Sequence, residues 1–278
     1  MGPPRRLGAP VVIGARPERV SAPAKLTVSL AVTGRRPDGY HELEAEMVAI
    51  DLADELLFVD GGSGLEIEAD PSARAEGLER GPGNLVTRAL ELLGRPATVV
   101  LRKRIPVQGG LGGGSTDAAA VLRWAGCEDL DLAATLGGDV PFCVVGGRAM
   151  VRGIGEQVSS LEYEARSFVL LVPPFGVDTA AVYRAHDELG KRRSGQMSNQ
   201  LTAAALVVEP RLAAWRDMLG AATGAVPHLA GSGSTWFAEG TLESLGLTGR
   251  DELEWGAERA RLYEVATVPS GWELPTVP

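Results

Sequence analysis

Residues 105–120 read Ile105-Pro106-Val107-Gln108-Gly109-Gly110-Leu111-Gly112-Gly113-Gly114-Ser115-Thr116-Asp117-Ala118-Ala119-Ala120. Glycine packs no side chain and gives up much backbone entropy on ordering, so this density builds no core. It suits a loop whose backbone N–H groups approach a ligand closely. The β-branched run 97–101 (Ala-Thr-Val-Val-Leu) precedes it and reads as a strand. Good helix formers, Ala118 to Ala125, follow it. Strand, glycine loop and helix N-terminus together form an arrangement that binds phosphate, because the unpaired N–H groups of the first turn and the positive end of the helix dipole face the anion. A glycine-rich surface hairpin or linker is the other reading of the same residues.

Two familiar phosphate loops are excluded by single residues. A Walker A loop ends in Gly-Lys-[Ser/Thr], and here Gly114 runs directly into Ser115. A dinucleotide fingerprint needs glycine three residues after Gly112, where Ser115 stands.

The 278 residues suffice for two domains or one large one. A 45% hydrophobic, 23% charged chain has an ordinary globular balance. The net charge of −9 argues against a nucleic-acid groove or an anionic membrane surface as partner. Phosphate binding is then local, from backbone groups and a few cations. Cys127 and Cys143 are too far apart for a C-x-x-C clip, and fit core positions in a reducing cytoplasm. No apolar run approaches a membrane span. Residues 1–20 carry arginines without a continuous apolar stretch, which fits a ragged extension better than a signal peptide.

Along the chain, Lys25 to Val32 alternates, with Leu26, Val28, Leu30 and Val32 on one face and Lys25, Thr27, Ser29 and Ala31 on the other. This predicts a half-buried strand, and taken alone Lys25 reads as an ordinary solvated lysine. Pro37-Asp38-Gly39 predicts a turn that delivers Tyr40 and His41. Asn84 is placed to cap a helix over 85–93. Asp139 precedes Val140-Pro141 at a helix start, where a plain cap and a functional carboxylate fit equally well. Gly146-Gly147 and Gly153 to Glu156 read as hairpin turns. A composition shift over 159–167 marks a domain boundary. Helices follow at 179–189, 199–207 and 211–219. Gly231-Ser232-Gly233 leads into a strand at 235–238 and reads as a tight hairpin or a second ligand turn.

Taken in order, Pro-Ala-Lys-Leu (23–26), Asp-Gly-Tyr-His-Glu (38–42), Gly-Leu-Gly-Gly-Gly-Ser-Thr-Asp-Ala-Ala (110–119), Gly-Asp-Val-Pro-Phe (138–142) and Gly-Ser-Gly-Ser (231–234) resemble the GHMP kinase superfamily. The resemblance spans residues 20–240. The Asp-Gly-Tyr-His-Glu segment separates this sequence from mevalonate and homoserine kinases and points to a branch acting on a cytidine-diphosphate-linked methylerythritol. The resemblance implies an α+β, two-domain fold with the active site in the interdomain cleft. Residues 1–20 would be an extension, 21–160 the ATP-binding N-terminal domain and 161–278 the C-terminal domain.

The same resemblance assigns roles. Pro106, Gly109, Gly110, Leu111, Gly112, Gly113, Gly114, Ser115 and Thr116 would hold ATP. Mg²⁺ would be carried mainly by the ATP phosphates, with Ser115 the protein group placed to join. Asp139 would accept the proton of a tertiary hydroxyl, and Lys25 beside it would keep it ionised and stabilise developing charge. Thr27, Tyr40, His41, Tyr183, Gly231, Ser232 and Gly233 would contact the acceptor, with Tyr40 and Tyr183 stacking on the cytosine and His41 bonding its polar edge. Three positions depart from the family pattern: Thr27 stands in place of asparagine, Gln108 in place of a small residue and Thr116 in place of serine. Another small-molecule kinase of the superfamily and a catalytically silent ligand-binding relative are the rival readings. Retention of Lys25 and Asp139 argues against the second.

Overall fold

The described residues up to 160 build a mixed sheet whose two longest strands run side by side. β1 (Glu18–Arg35) turns at 36–40 into β2 (His41–Val59), and the two pair antiparallel along their length. The structure, a computed structural model, describes residues 18–59, 62–75, 78–190 and 199–269, so most of the extension expected at 1–20 lies outside the described residues. The Pro-Asp-Gly turn forms as its chemistry predicts: Gly39 takes φ +93° and the Tyr40 N–H donates to Asp38 Oδ1 at 3.2 Å.

β3 (Gly64–Ala69) and β4 (Thr98–Lys103) are parallel neighbours, which demands a crossover. A single 3-10 turn at Pro71–Ala73 and α1 (Leu85–Leu92) supply it. Asn84 caps α1 as expected, its Oδ1 accepting from the Val86 N–H at 2.9 Å. Beyond β4 come the glycine loop, α2 (Gly113–Trp124), α3 (Leu130–Ala134) and α4 (Val140–Val145). β5 (Arg148–Gly153) and β6 (Gln157–Ser160) close the first sheet, in order β3-β4-β2-β5-β6 with β1 on β2.

A second, antiparallel sheet starts at β7 (Ser167–Val172). Three helices follow: α5 (Thr179–Leu189), α6 (Thr202–Val208) and α7 (Leu212–Thr223). The remaining strands are β8 (His228–Leu229), β9 (Trp236–Glu239), β10 (Glu252–Trp255) and β11 (Glu258–Ala266). The order is β10-β11-β7-β9-β8. Helices and sheets thus combine in the α+β arrangement expected.

Two sequence expectations are corrected here. The strand holding Lys25 is not simply half-buried, because register shifts between Pro23 and Lys25 and between Thr27 and Ser29 break its alternation. Leu26 faces Val48 in a small core with Ile50, Ile105, Leu111, Phe168 and Phe237. After the second shift Leu30 faces Ala45 in the main core. The strand is buried on both faces from Ala22 to Thr27, and Lys25 is 5% exposed rather than solvated. The smaller core joins β1 and β2 to β7 and β9, so the two sheets meet where Lys25 sits. The second correction concerns Gly146-Gly147, which links α4 to β5 and is no hairpin turn. Gly153 to Glu156 does join the antiparallel strands β5 and β6.

Candidate active site

Lys25 leaves β1 just past its first register shift, and its stem runs beneath the glycine loop. A Cβ at Gly112 would stand 2.6 Å from Lys25 Cγ, and Gly112 has φ +69°, so glycine is required there on both counts. Gly110, at φ +77°, is pressed on by the carbonyls of Ala230 and Gly233, each under 3 Å from a Cβ placed there. The glycine loop and the Gly-Ser-Gly turn therefore pack backbone to backbone across the junction of the two sheets. Thr235 N–H donates to Gly109 carbonyl at 3.2 Å, and Lys25 N–H to Leu111 carbonyl at 3.0 Å.

Lys25 Nζ lies 3.3 Å from Asp139 Oδ2 and donates to Thr27 Oγ1 at 3.1 Å. Asp139 is the residue at the N-cap position of α4, but its side chain caps no N–H. The plain-cap reading is thereby overturned: the carboxylate faces Lys25, more than a hundred residues earlier in the chain.

The first turn of α2 opens on a cavity of about 440 Å³. Pro106, Gly109, Gly110, Leu111, Gly112, Gly113, Gly114 and Ser115 line it on one side, and Lys25, Asp139, Gly231 and Ser232 on the other. No side chain caps α2, so its N-terminal N–H groups and dipole are open to an anion. A second cavity of about 610 Å³ continues the cleft, sharing Ser115, Asp139 and Tyr183 with the first and reaching Tyr40 and His41. In it the His41 ring lies on Tyr183 with centroids 4.8 Å apart and planes 24° from parallel. Tyr40 is 62% exposed at its rim. Burial, with Asp139 nearby, pushes the Tyr183 hydroxyl up to about 12, so it stays protonated.

The Gly-Ser-Gly turn is held from behind. Asn199 Nδ2 donates to the carbonyls of Leu229 at 2.8 Å and Gly231 at 2.6 Å. Ser232 and Thr179 hydroxyls share a hydrogen bond of 2.8 Å, tying the turn to the start of α5.

Residues 84–147 match the GHMP kinases N terminal domain. The 4-diphosphocytidyl-2-C-methyl-D-erythritol kinase of Paracoccus denitrificans (strain Pd 1222) is 37% identical over 237 residues, 79% of this chain and 85% of that protein. The chain belongs to the 4-diphosphocytidyl-2-C-methyl-D-erythritol kinase family. The relative of that name from Pelotomaculum thermopropionicum (strain DSM 13744 / JCM 10971 / SI) is 45% identical over 184 residues, 59% of this chain and 62% of its own. A crystal structure of 4-(cytidine 5'-diphospho)-2C-methyl-D-erythritol kinase superposes with TM-score 0.66 at 33% identity, covering 90% of this chain and 98% of that one.

In this member of the 4-diphosphocytidyl-2-C-methyl-D-erythritol kinase family, two of the expected ligand contacts point elsewhere. The Thr116 hydroxyl is buried and donates to the Pro23 carbonyl at 2.7 Å, so it fastens α2 to β1 instead of facing the cavity. Gly233 is buried behind the turn, against Leu229 and Gly110, and does not line the cavity. Gly113 is helical rather than left-handed, so positive φ is not what requires a glycine there.

Sequence reasoning missed a buried cluster under the loop. Lys103 bridges Asp54 on β2 and Asp117 on α2, with Asp117 Oδ2 at 2.7 Å, and all three are at most 3% exposed. Asp54 Oδ1 also accepts from the N–H groups of Arg104 at 2.5 Å and Ile105 at 2.9 Å. Asp117 Oδ1 is buried without a partner. The signal is there in the sequence: Val99, Leu101 and Lys103 share the buried phase of β4, which runs two residues past the apolar run ending at Leu101.

Proposed function

We propose that this chain transfers the γ-phosphoryl group of ATP to the tertiary 2-hydroxyl of 4-diphosphocytidyl-2-C-methyl-D-erythritol, a step of the non-mevalonate isoprenoid precursor pathway. The observation that carries the reading is the 3.3 Å approach of Lys25 to Asp139 at the mouth of the cavity that the glycine loop lines.

Phosphoryl transfer asks a protein mainly for in-line positioning and neutralisation of charge. The uncapped α2 N-terminus and the N–H groups of the glycine loop fit the phosphates of ATP. Mg²⁺, when bound, neutralises phosphate charge, and Ser115 is the hydroxyl placed to help hold it. Among the described residues no three histidine, cysteine, aspartate or glutamate side chains converge on a metal position.

Asp139 accepts the hydroxyl proton of the acceptor as its oxygen attacks. Lys25 places its charge beside the oxygen that becomes negative, and its hydrogen bond to Thr27 Oγ1 holds it in place. Tyr40, His41 and Tyr183 form the wall that takes the cytosine, by stacking and by hydrogen bonds to its edge. His41 and Tyr183 already stack on each other, so the base does not enter between them. No helix among the described residues is long and apolar enough to cross a membrane. A cytoplasmic location fits this chemistry.

The test is ATP consumption with 4-diphosphocytidyl-2-C-methyl-D-erythritol, mevalonate and homoserine offered in parallel. Turnover is expected with the first alone, and comparable turnover of either other acceptor contradicts the reading.

A further inference from the structure

The N-terminus of α2 opens on the cavity that the glycine loop lines, and one face of the same helix holds the two elements that carry Lys25 and Asp139. Thr116 and Arg123, seven residues apart on α2, share that face. Thr116 Oγ1 donates to the Pro23 carbonyl at 2.7 Å, and Arg123 Nη2 donates to the Ser21 carbonyl at 2.7 Å. Both carbonyls belong to the part of β1 that leads into Lys25, next to the register shift between Pro23 and Lys25. The other arm of the guanidinium crosses to α4, where Arg123 Nη1 donates to the Cys143 carbonyl at 2.5 Å. The Cys143 N–H in turn donates to the Asp139 carbonyl at 3.1 Å. One planar group thus joins the backbone under Lys25 to the backbone under Asp139. Carbonyls in the last turn of a helix lack partners within it, and a cation there is favoured by the dipole. α4 is only six residues long, so it has few bonds of its own to hold Asp139 in place.

We propose that Arg123 is a positioning residue for the phosphoryl transfer: it fixes the separation of Asp139 from Lys25 and keeps both in register with the phosphates at the N-terminus of α2. The inference rests on the roles given to Lys25 and Asp139 above. Arg123 does not line the cavity, so its loss acts on rate and leaves the ATP contacts alone. A displacement of about 1 Å at reacting groups costs on the order of a hundredfold in rate. The fork of the guanidinium is what the task requires, because its rigid donors meet two carbonyls at a fixed spacing. A lysine ammonium on a flexible stem keeps the charge and loses that spacing.

The test uses Arg123→Met, which keeps an unbranched stem and loses every donor, and Arg123→Lys, which keeps the charge and loses the fork. With the cytidyl substrate, kcat should fall about 10- to 100-fold in Arg123→Met and about tenfold in Arg123→Lys, while the Kd for ATP stays within about twofold in both. Val121→Ala, a core truncation on another face of α2, controls for lost stability, and its kcat should stay within about twofold of the parent. A double-mutant cycle separates positioning from folding. In an Asp139→Asn background Arg123→Met should cost less than about twofold, because the group it positions no longer takes the proton. Should Arg123→Met not fold, the cycle is read on Arg123→Lys. An unchanged kcat in either folded variant, an equal loss in both backgrounds, or a defect confined to ATP affinity would overturn the proposal. If the parent turns over no cytidyl substrate at all, the proposed function fails, and native labelling of the buried Cys143 at about pH 8 decides whether Arg123 holds α4. Labelling should be about tenfold faster in Arg123→Met than in the parent or Val121→Ala, and equal rates would overturn that hold.

Discussion

Gly113 lies directly over Lys103: a Cβ built at Gly113 would stand 2.8 Å from Lys103 Nζ and 3.2 Å from Ile105 Cγ2. Nζ is the end of a flexible chain, but here it is pinned between Asp54 and Asp117 and has nowhere to retreat. Gly113→Val therefore overpacks the floor of the phosphate loop, at about 1–3 kcal/mol of stability. It should also displace the first turn of α2 and weaken ATP binding. Urea unfolding and nucleotide titration of the folded variant check both effects. Unchanged ATP affinity would show that this turn does not hold phosphate.

Asp117 offers a pH test of the same cluster. Burial holds its carboxyl well above the usual carboxylate range; Lys103 pulls it down and Asp54 pushes it up. Asp54 collects three donors and Asp117 only one, so Asp117 is the member that keeps a proton. A proton held in the native state but not in the unfolded chain stabilises most below the unfolded pKa, about 3.9. That contribution is lost as pH rises through the folded pKa. Asp117→Asn cannot ionise, so its stability relative to the parent should increase as pH rises from about 4. Parallel urea midpoints across pH 4–8 would contradict this assignment.

Cys143 reports on α4. Burial, reinforced by Asp139, pushes its thiol up to about 12. The partly exposed Cys127 should be the only thiol labelled by a thiol reagent at about pH 8 in the native protein, and both should react after denaturation. Rapid native labelling of Cys143 would mean that the helix carrying Asp139 opens.

On the proposed cytosine wall, Tyr183→Ala would remove a stacking face worth roughly 1–3 kcal/mol per base and His41→Ala a hydrogen-bonding edge. Each should raise KM for the cytidyl substrate and leave ATP affinity nearly unchanged. Methylerythritol 4-phosphate, which lacks the cytidine, should be a very poor acceptor. Steady-state kinetics separate the terms, and a defect confined to ATP in both variants would move the base elsewhere.

What the sequence disclosed follows from how local each signal is. The glycine loop, the Asn84 cap and the Pro-Asp-Gly turn are written in neighbouring residues, and each formed as read. Convergence is not local. That Lys25 reaches Asp139 depends on register shifts in β1 that no alternation announces, and these same shifts turned the expected solvated lysine into a buried one. Thr116 was misassigned because a hydroxyl on the first turn of α2 faces either the ligand or β1, and residue type does not choose. Asp187 carried no signal at all: the His41 ring that hydrogen-bonds to it lies 146 residues earlier.

The central claim is that Asp139 is the base of a phosphoryl transfer and not a helix cap, and Asp139→Asn tests it most directly. The variant keeps shape and hydrogen-bonding capacity but cannot take the proton. Measured against the parent with saturating ATP and cytidyl substrate, kcat should fall by on the order of 10²–10⁴ while the Kd for ATP stays within about twofold. A variant that turns over at the parent rate would contradict the account.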